Sequence, residues 1–135
     1  MPNTPNINLD IRLGGSSDPY WVNVDASNGQ RYGYLYTGGD DGHGGLVQTA
    51  GQGRDTAQIQ LTADNRYQIG SCTFENDVNN QLTWNGFSGR AGSIVDANTA
   101  VETAEYIIHV TDTGNGNCSI PCDPTVTNKQ PTTAP

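Results

Sequence analysis

The sequence predicts an all-β protein built as a two-sheet antiparallel sandwich of about eight strands. Apolar and polar residues alternate with a period of two in several segments, and turn residues interrupt the alternation. The chain holds 17 glycines in 135 residues. Only 15% of its residues are charged, so it lacks the Lys and Glu that usually solvate helices. A small barrel is the alternative architecture.

The first three strands follow in order from the N-terminus. Residues 7–13 alternate apolar with polar side chains and form the clearest strand of the sequence. A second strand is predicted at 20–25 and a third at 31–37. Asn28 and Gly29 lie between them, and both residue types tolerate the positive φ of a type I′ turn. This part of the chain is therefore predicted to form a hairpin.

The remaining strands are shorter and are separated by polar segments. They are predicted at 46–49, 57–62, 67–74, 82–87, 106–111 and 125–128. Asp64 and Asn65 mark a turn after the strand that ends at residue 62. Residues 93–105 are the one stretch in which the sequence allows a helical turn.

The length predicts a single domain at residues 1–129, followed by a loose tail at 130–135 that is rich in Thr and Pro. The N-terminus lacks the basic and apolar regions of a signal peptide. No window approaches the roughly 18 apolar residues of a membrane-spanning helix. We therefore expect either a cytoplasmic chain or a secreted chain that has lost its leader, and the sequence does not choose between them.

The acidic charge balance restricts the partners. The formal net charge is −8, whereas nucleic-acid binding requires a basic surface that displaces phosphate counterions. Anionic membranes attract basic segments for the same electrostatic reason. We therefore expect neither nucleic acid nor membrane as a partner.

The aromatic pattern offers a candidate ligand-binding surface, with the core as the alternative location of these rings. Tyr32, Tyr34 and Tyr36 share one face of a strand, and Trp21 lies on the strand predicted to pair with it. If the tyrosines face solvent, they form a flat platform on which a sugar or a partner protein stacks. If they face inward, they belong to the core, and the sequence leaves both alternatives open.

The glycine-rich segment 38–45 contains the candidate metal ligands. Asp40 and Asp41 are carboxylates of the kind that Ca²⁺ prefers, with backbone carbonyls and water completing its shell. His43 adds a nitrogen donor, although one His with two carboxylates is a weak set for a transition metal. The alternative is a polar surface loop. No cofactor is therefore expected, with Ca²⁺ as the exception that the loop allows.

The three cysteines offer one candidate disulfide. Cys118 and Cys122 are close enough in sequence to close a small loop, which leaves Cys72 over. Their spacing differs from the C-x-x-C pattern of redox and zinc sites. Two free thiols are the alternative, and the distance between the two Cα atoms decides.

The C-terminal quarter resembles a known family. The segment Tyr106-Ile107-Ile108-His109-Val110-Thr111-Asp112 and the later segment Cys122-Asp123-Pro124-Thr125-Val126-Thr127-Asn128 are similar to the closing hairpin of small bacterial immunoglobulin-like domains of the DP-EP family. The resemblance implies an immunoglobulin-like sandwich. It implies no activity and no functional residues, because the family has no assigned activity.

No catalytic motif supports an enzyme. The chain has no G-x-S-x-G elbow and no phosphate-binding glycine loop, and His109 is expected on a strand face turned away from the core. We therefore expect a non-enzymatic interaction or structural module that binds a protein partner or self-associates. A carbohydrate-binding module or lectin, which could depend on Ca²⁺, is the alternative.

Overall fold

The computed structural model describes residues 5–40, 42–51, 53–122 and 125–129. These residues form eleven strands and no helix, which confirms the prediction of an all-β protein. The strands are β1 (Asn6–Leu13), β2 (Val22–Asp25), β3 (Arg31–Gly38), β4 (Leu46–Thr49), β5 (Asp55–Leu61), β6 (Tyr67–Glu75), β7 (Leu82–Gly86), β8 (Ala91–Asp96), β9 (Glu102–Asp112), β10 (Cys118–Cys122) and β11 (Thr125–Lys129).

The strands form two sheets. Six strands build the first sheet in the order β2-β3-β1-β5-β8-β7. In the second sheet, β9 pairs with β6 along one side, and with β10 and then β11 along the other. β11 in turn pairs with β4. The two sheets share one hydrophobic core, to which Leu9 and Ile59 contribute from the first sheet and Ile108 and Ile120 from the second.

Two pairings correct the prediction of a purely antiparallel fold. β1 runs parallel to β5, and β11 runs parallel to β4. Each parallel pair joins strands that are distant in sequence, and alternation within a strand says nothing about the direction of its neighbour. The count of about eight strands was also too low.

The extra strands come from segments whose patterns are weak. The stretch 93–105 contains no helical turn: its first residues belong to β8 and its last to β9. β10 was not predicted, because it is short and contains Pro121, a residue that usually interrupts a strand. Its antiparallel pairing with β9 compensates for the poor local pattern.

The hairpin predicted around Asn28 and Gly29 is confirmed, since β2 and β3 pair antiparallel on either side of it. The prediction of a type I′ turn is wrong. Gly29 has a φ of 84°, but Asn28 is not among the residues with positive φ. The Gly29 amide donates to the Ala26 carbonyl, and the Ala26 amide donates to the Gln30 carbonyl. The left-handed glycine therefore closes a longer turn.

Hydrogen bonds join the two sheets at two corners. At the first corner the Ser27 amide donates to the Ser119 carbonyl over 2.9 Å, and the Ser119 amide donates to Ser27 Oγ over 2.9 Å. At the second, the Ile69 amide donates to the Gly89 carbonyl over 2.6 Å. These bonds bring β10 beside β2 and β6 beside the turn between β7 and β8. No helix long and apolar enough to cross a membrane occurs among the described residues.

Candidate functional site

A groove on the outer face of the six-stranded sheet is the candidate binding site. It has a volume of about 190 Å³ and runs across β1, β5 and the start of β8. Its lining residues are Asn6, Ile7, Asn8, Gln58, Ile59, Gln60 and Ala91. The lining therefore consists mostly of amide side chains, with Ala91 beside them and no charged group.

Strand alternation places the amides on this face. Ile7 and Leu9 point into the core, so Asn6 and Asn8 point outward. In β5 the same alternation buries Ile59 and exposes its neighbours on either side. Polar residues on the outer face leave the inner face free to pack in the core.

The parallel pairing of β1 and β5 aligns the amides in two rows. Asn6 is the partner of Gln58, and Asn8 is the partner of Gln60. Neighbouring strands are about 4.8 Å apart, and alternate residues along one strand are about 6.6 Å apart. The four side chains therefore form a small rectangular array around the groove.

The four amides retain their hydrogen-bonding capacity. All four residues are exposed, and none of their side chains hydrogen-bonds to another residue in the described part of the chain. Each amide group carries two N–H donors and a carbonyl acceptor. The array can thus donate to and accept from the same ligand.

The direct cross-strand neighbours of the array are uncharged. Its cross-strand neighbours are Thr37, Ala91 and Ser93. The nearest charged residue on the same face of β1 is Asp10, whose Oδ1 accepts a hydrogen bond from the Ile11 amide over 2.8 Å. Arg12 lies further along β1 and pairs with Asp18 over 3.0 Å. The groove therefore suits an uncharged ligand.

The structure places the tyrosine ladder in the core, which is the second of the two alternatives, so the candidate aromatic platform of Tyr32, Tyr34 and Tyr36 is not formed. Tyr32, Tyr34 and Tyr36 are 0%, 6% and 4% exposed. The Tyr36 hydroxyl donates to the Cys122 carbonyl over 2.9 Å, and burial raises the pKa of Tyr36 well above its ordinary value. Tyr36 also packs edge-on against Tyr106. These rings fill space between the sheets, so no sugar can stack on them.

Trp21 belongs to a different environment from the tyrosines. It is half-buried just before β2, and the Arg12 guanidinium lies 4.3 Å from the centre of its ring. A cation over the ring face is a favourable arrangement. This face of Trp21 is thus already occupied, and the structure does not bring Trp21 together with the tyrosines as one surface.

The predicted calcium loop is only partly described. Asp40 is exposed, its carboxylate accepts a hydrogen bond from the Val47 amide over 2.9 Å, and its own amide donates to the Gly45 carbonyl. Asp41 lies outside the described residues. His43 stacks on Tyr20 with 4.3 Å between ring centres. Among the described residues, no three His, Cys, Asp or Glu side chains gather in a group that could hold a metal ion.

The candidate disulfide between Cys118 and Cys122 is not formed: both are free, buried thiols, and Cys72 is also free. The two residues lie at opposite ends of β10. Four residues of extended strand separate Cα atoms by roughly 13 Å, whereas a disulfide requires less than about 7 Å. Burial raises the pKa of Cys122 well above its ordinary value, which keeps the thiol protonated.

His109 is half-buried in β9, and its Nε2 lies 2.8 Å from Thr73 Oγ1 on the neighbouring strand. The Cys72 thiol, one residue from Thr73, has a pKa raised to about 12 by burial. A thiol with so high a pKa carries little thiolate at neutral pH and is a poor nucleophile. Cys72 is therefore not an activated nucleophile.

A buried charge cluster was missed by sequence reasoning. Asp112 is 0% exposed and accepts hydrogen bonds from Arg66 Nε over 2.7 Å and Arg66 Nη2 over 2.8 Å. The Tyr32 hydroxyl donates to the same carboxylate over 2.5 Å. Burial alone would raise the pKa of Asp112, but these bonds from Arg66 and Tyr32 outweigh it and lower the pKa. The cluster joins both sheets, with Asp112 buried and the Arg66 side chain 34% exposed, so we assign it a structural role.

The groove residues had a partial signal in the sequence. Alternation around Ile7 and Leu9 already places Asn6 and Asn8 on a polar face. Nothing local indicated that β5 would lie beside β1 with Gln58 and Gln60 in register. Neither a scan against known protein-family models nor a search of curated proteins finds a match to this chain.

Proposed function

We propose that this domain is a non-enzymatic carbohydrate-binding module that holds a neutral sugar in the amide-lined groove. The observation that carries the proposal is the array of Asn6, Asn8, Gln58 and Gln60, whose side chains have no hydrogen-bond partner among the described residues. A sugar hydroxyl both donates and accepts, and an amide does the same. The chemistry of the array therefore matches a polyhydroxylated ligand.

The size and charge of the groove support the same ligand class. Ligand pockets for drug-sized molecules have volumes of roughly 300–1,000 Å³, whereas this groove has about 190 Å³. It is therefore suited to one ring of a longer chain that continues over the open sheet face. The absence of Arg and Lys from its lining removes the partners that an acidic sugar would need.

The groove lacks the groups that hydrolysis requires. Glycoside hydrolysis usually depends on two carboxyl groups on either side of the scissile bond, and no Asp or Glu is among the lining residues. Binding without turnover is therefore the function that the lining supports.

Edge contacts weaken the case for assembly through strand pairing. A free strand edge can pair with another chain, but the turn that follows β2 is joined to β10 through Ser27 and Ser119. On β4, Asp40 accepts the hydrogen bond of the Val47 amide. A protein partner thus remains the second candidate, and the groove is a better-supported surface than these edges.

We also propose that the two sheets form an immunoglobulin-like β-sandwich related to the DP-EP domains. The antiparallel pairing of β9, which contains Tyr106, with β10 and β11 supports this assignment. An experimental structure would test it by comparing strand order and the two parallel pairings with those of immunoglobulin-like domains.

Titration calorimetry against neutral oligosaccharides, chosen from a glycan array, tests the proposed function. We expect binding by the native chain and at least a tenfold loss of affinity in the double variant Asn8→Ala and Gln60→Ala, since each lost hydrogen bond costs about 1 kcal/mol. Gln30→Ala, an exposed amide in the hairpin turn, is the matched control and should bind normally. No neutral glycan bound, or equal binding by the double variant, would contradict the proposal.

A further inference from the structure

Two carboxyl groups meet where the loop between β6 and β7 reaches the start of β9. Asp77 belongs to that loop and is half-buried. Glu102 is the first residue of β9 and is only 7% exposed. The two side chains are close enough to share a hydrogen bond when one of them is protonated. This pair lies outside the amide-lined groove.

The carboxylate oxygens of the pair are only partly used. Asp77 Oδ1 accepts from the Gln81 amide over 2.7 Å, and Oδ2 accepts from the Leu82 amide over 3.1 Å. Glu102 Oε1 accepts from the Asn79 amide over 3.2 Å. Within the described part of the chain, Glu102 Oε2 is buried and has no hydrogen-bond partner. A buried carboxylate oxygen without a hydrogen-bond partner usually indicates that a proton, a water molecule or an ion binds there.

The electrostatics of the pair are unfavourable when both groups are ionised. Burial, followed by the contact with Asp77, raises the pKa of Glu102 to about 7. No Arg or Lys in the described residues forms a salt bridge with either group. Three residues further along β9, Glu105 is the cross-strand partner of Glu75, which adds negative charge to the same end of the sheet. A cation between Asp77 and Glu102 would relieve this repulsion.

We propose that Asp77 and Glu102 bind a Ca²⁺ ion that ties the loop between β6 and β7 to β9. Ca²⁺ prefers oxygen ligands and accepts carboxylates that bind through one or two oxygens. Both carboxylates keep lone pairs for a metal ion, because an ionised carboxylate has about four acceptor sites. Backbone carbonyls and water complete the shell of six to eight oxygens that is typical of Ca²⁺. This pair is then a calcium site separate from the loop that contains Asp40.

Calorimetric titration of the native chain with Ca²⁺ tests the site. We expect one site with a dissociation constant of about 10⁻⁴–10⁻³ M, as in other sites with few charged ligands. Glu102→Gln keeps the shape of the side chain but removes its charge, and should weaken Ca²⁺ binding at least tenfold. Asp40→Asn is the matched control and should bind Ca²⁺ as the native chain does. Circular dichroism verifies that each variant is folded.

A second variant keeps the test valid if Glu102→Gln does not fold. Asp77→Asn removes the charge of the other carboxylate and should also weaken Ca²⁺ binding at least tenfold. The same calorimetric titration measures the loss, and circular dichroism again verifies that the variant is folded. Absence of Ca²⁺ binding by the native chain, or equal binding by either folded variant, would overturn the proposal.

Discussion

At the scale of single residues, the buried polar groups divide into those that hold the fold together and those that are available to a ligand. Asp112 has two hydrogen bonds from Arg66, one from Tyr32 and one from the Gly114 amide. Its negative charge is therefore fully compensated although it is buried. Glu102, with one unused oxygen, is not compensated in this way. The two carboxylates should respond differently to mutation and to pH.

Asp112→Asn should destabilise the domain substantially. The substitution keeps the size of the side chain but removes the negative charge that faces Arg66, so the free energy of unfolding should fall by about 2 kcal/mol. Asp18→Asn breaks an ion pair whose side chains are 49% and 61% exposed, and should leave the stability nearly unchanged. Urea unfolding of both variants measures the difference. Equal effects would show that burial of Asp112 does not strengthen its interactions.

Glu102 should make stability depend on pH when Ca²⁺ is removed with a chelator. Its pKa is about 7 in the folded state, against an ordinary value of 4.5, so the folded chain binds the proton more tightly than the unfolded chain. The stabilisation that comes from this tighter proton binding is fully present below pH 4.5. It is lost as the pH rises through 7, so the free energy of unfolding should fall by about 2 kcal/mol after allowance for partial solvation. Urea midpoints from pH 4.5 to 8 measure it. The loss should be absent in Glu102→Gln, and an equal loss there would assign it to other groups.

At the scale of strands and turns, geometry decides which side chains can meet. Alternate residues share a face in an extended strand, so Cys118, Ile120 and Cys122 all point into the core. The extended backbone of β10 therefore keeps the two thiols far apart, although Cys118 and Cys122 are close in sequence. In the turns, the backbone conformation of single residues, and not alternation, decides which groups come into contact. Gly44, for example, has a φ of 83°, and a Cβ at this position would collide with the Tyr36 side chain.

All three cysteines should be free thiols. Alkylation under non-reducing, denaturing conditions should add three alkyl groups per chain, because Cys118 and Cys122 cannot reach each other without breaking β10. In the folded protein the two buried thiols should react far more slowly than Cys72, which is half-buried. Intact mass spectrometry counts the groups in both states. A mass that corresponds to one group would indicate a disulfide and a different path for residues 118–122.

At the scale of the whole molecule, one core and two bonded corners hold the sheets in a single arrangement. The side chains of Tyr32, Tyr36 and Tyr106 fill the space between the sheets, and two of their hydroxyls reach polar atoms of the opposite sheet. The inner faces are therefore packed over most of their area. In the described part of the chain, the outer faces and the ends of the strands remain for binding, and both proposed sites lie there.

The sequence predicted those properties that depend on near neighbours in the chain. Alternation around Ile7, Leu9 and Ile11 predicted β1 and its inner face, and the glycine after Asn28 predicted the first hairpin. These signals are local, because a strand repeats every two residues and a tight turn involves only about four. The all-β class and the polar outer face of β1 could be read from the sequence for that reason.

The tertiary structure alone decided which strands became neighbours and which of two faces met water. The tyrosines of β3 could stack outside or pack inside, and the opposing sheet, with Asp112 and Cys122 as acceptors, placed them inside. The groove depends on β1 lying parallel to β5, and the carboxyl pair depends on a loop meeting a distant strand. Alternation carries no information about such contacts, because a strand pattern is the same whatever partner pairs with it.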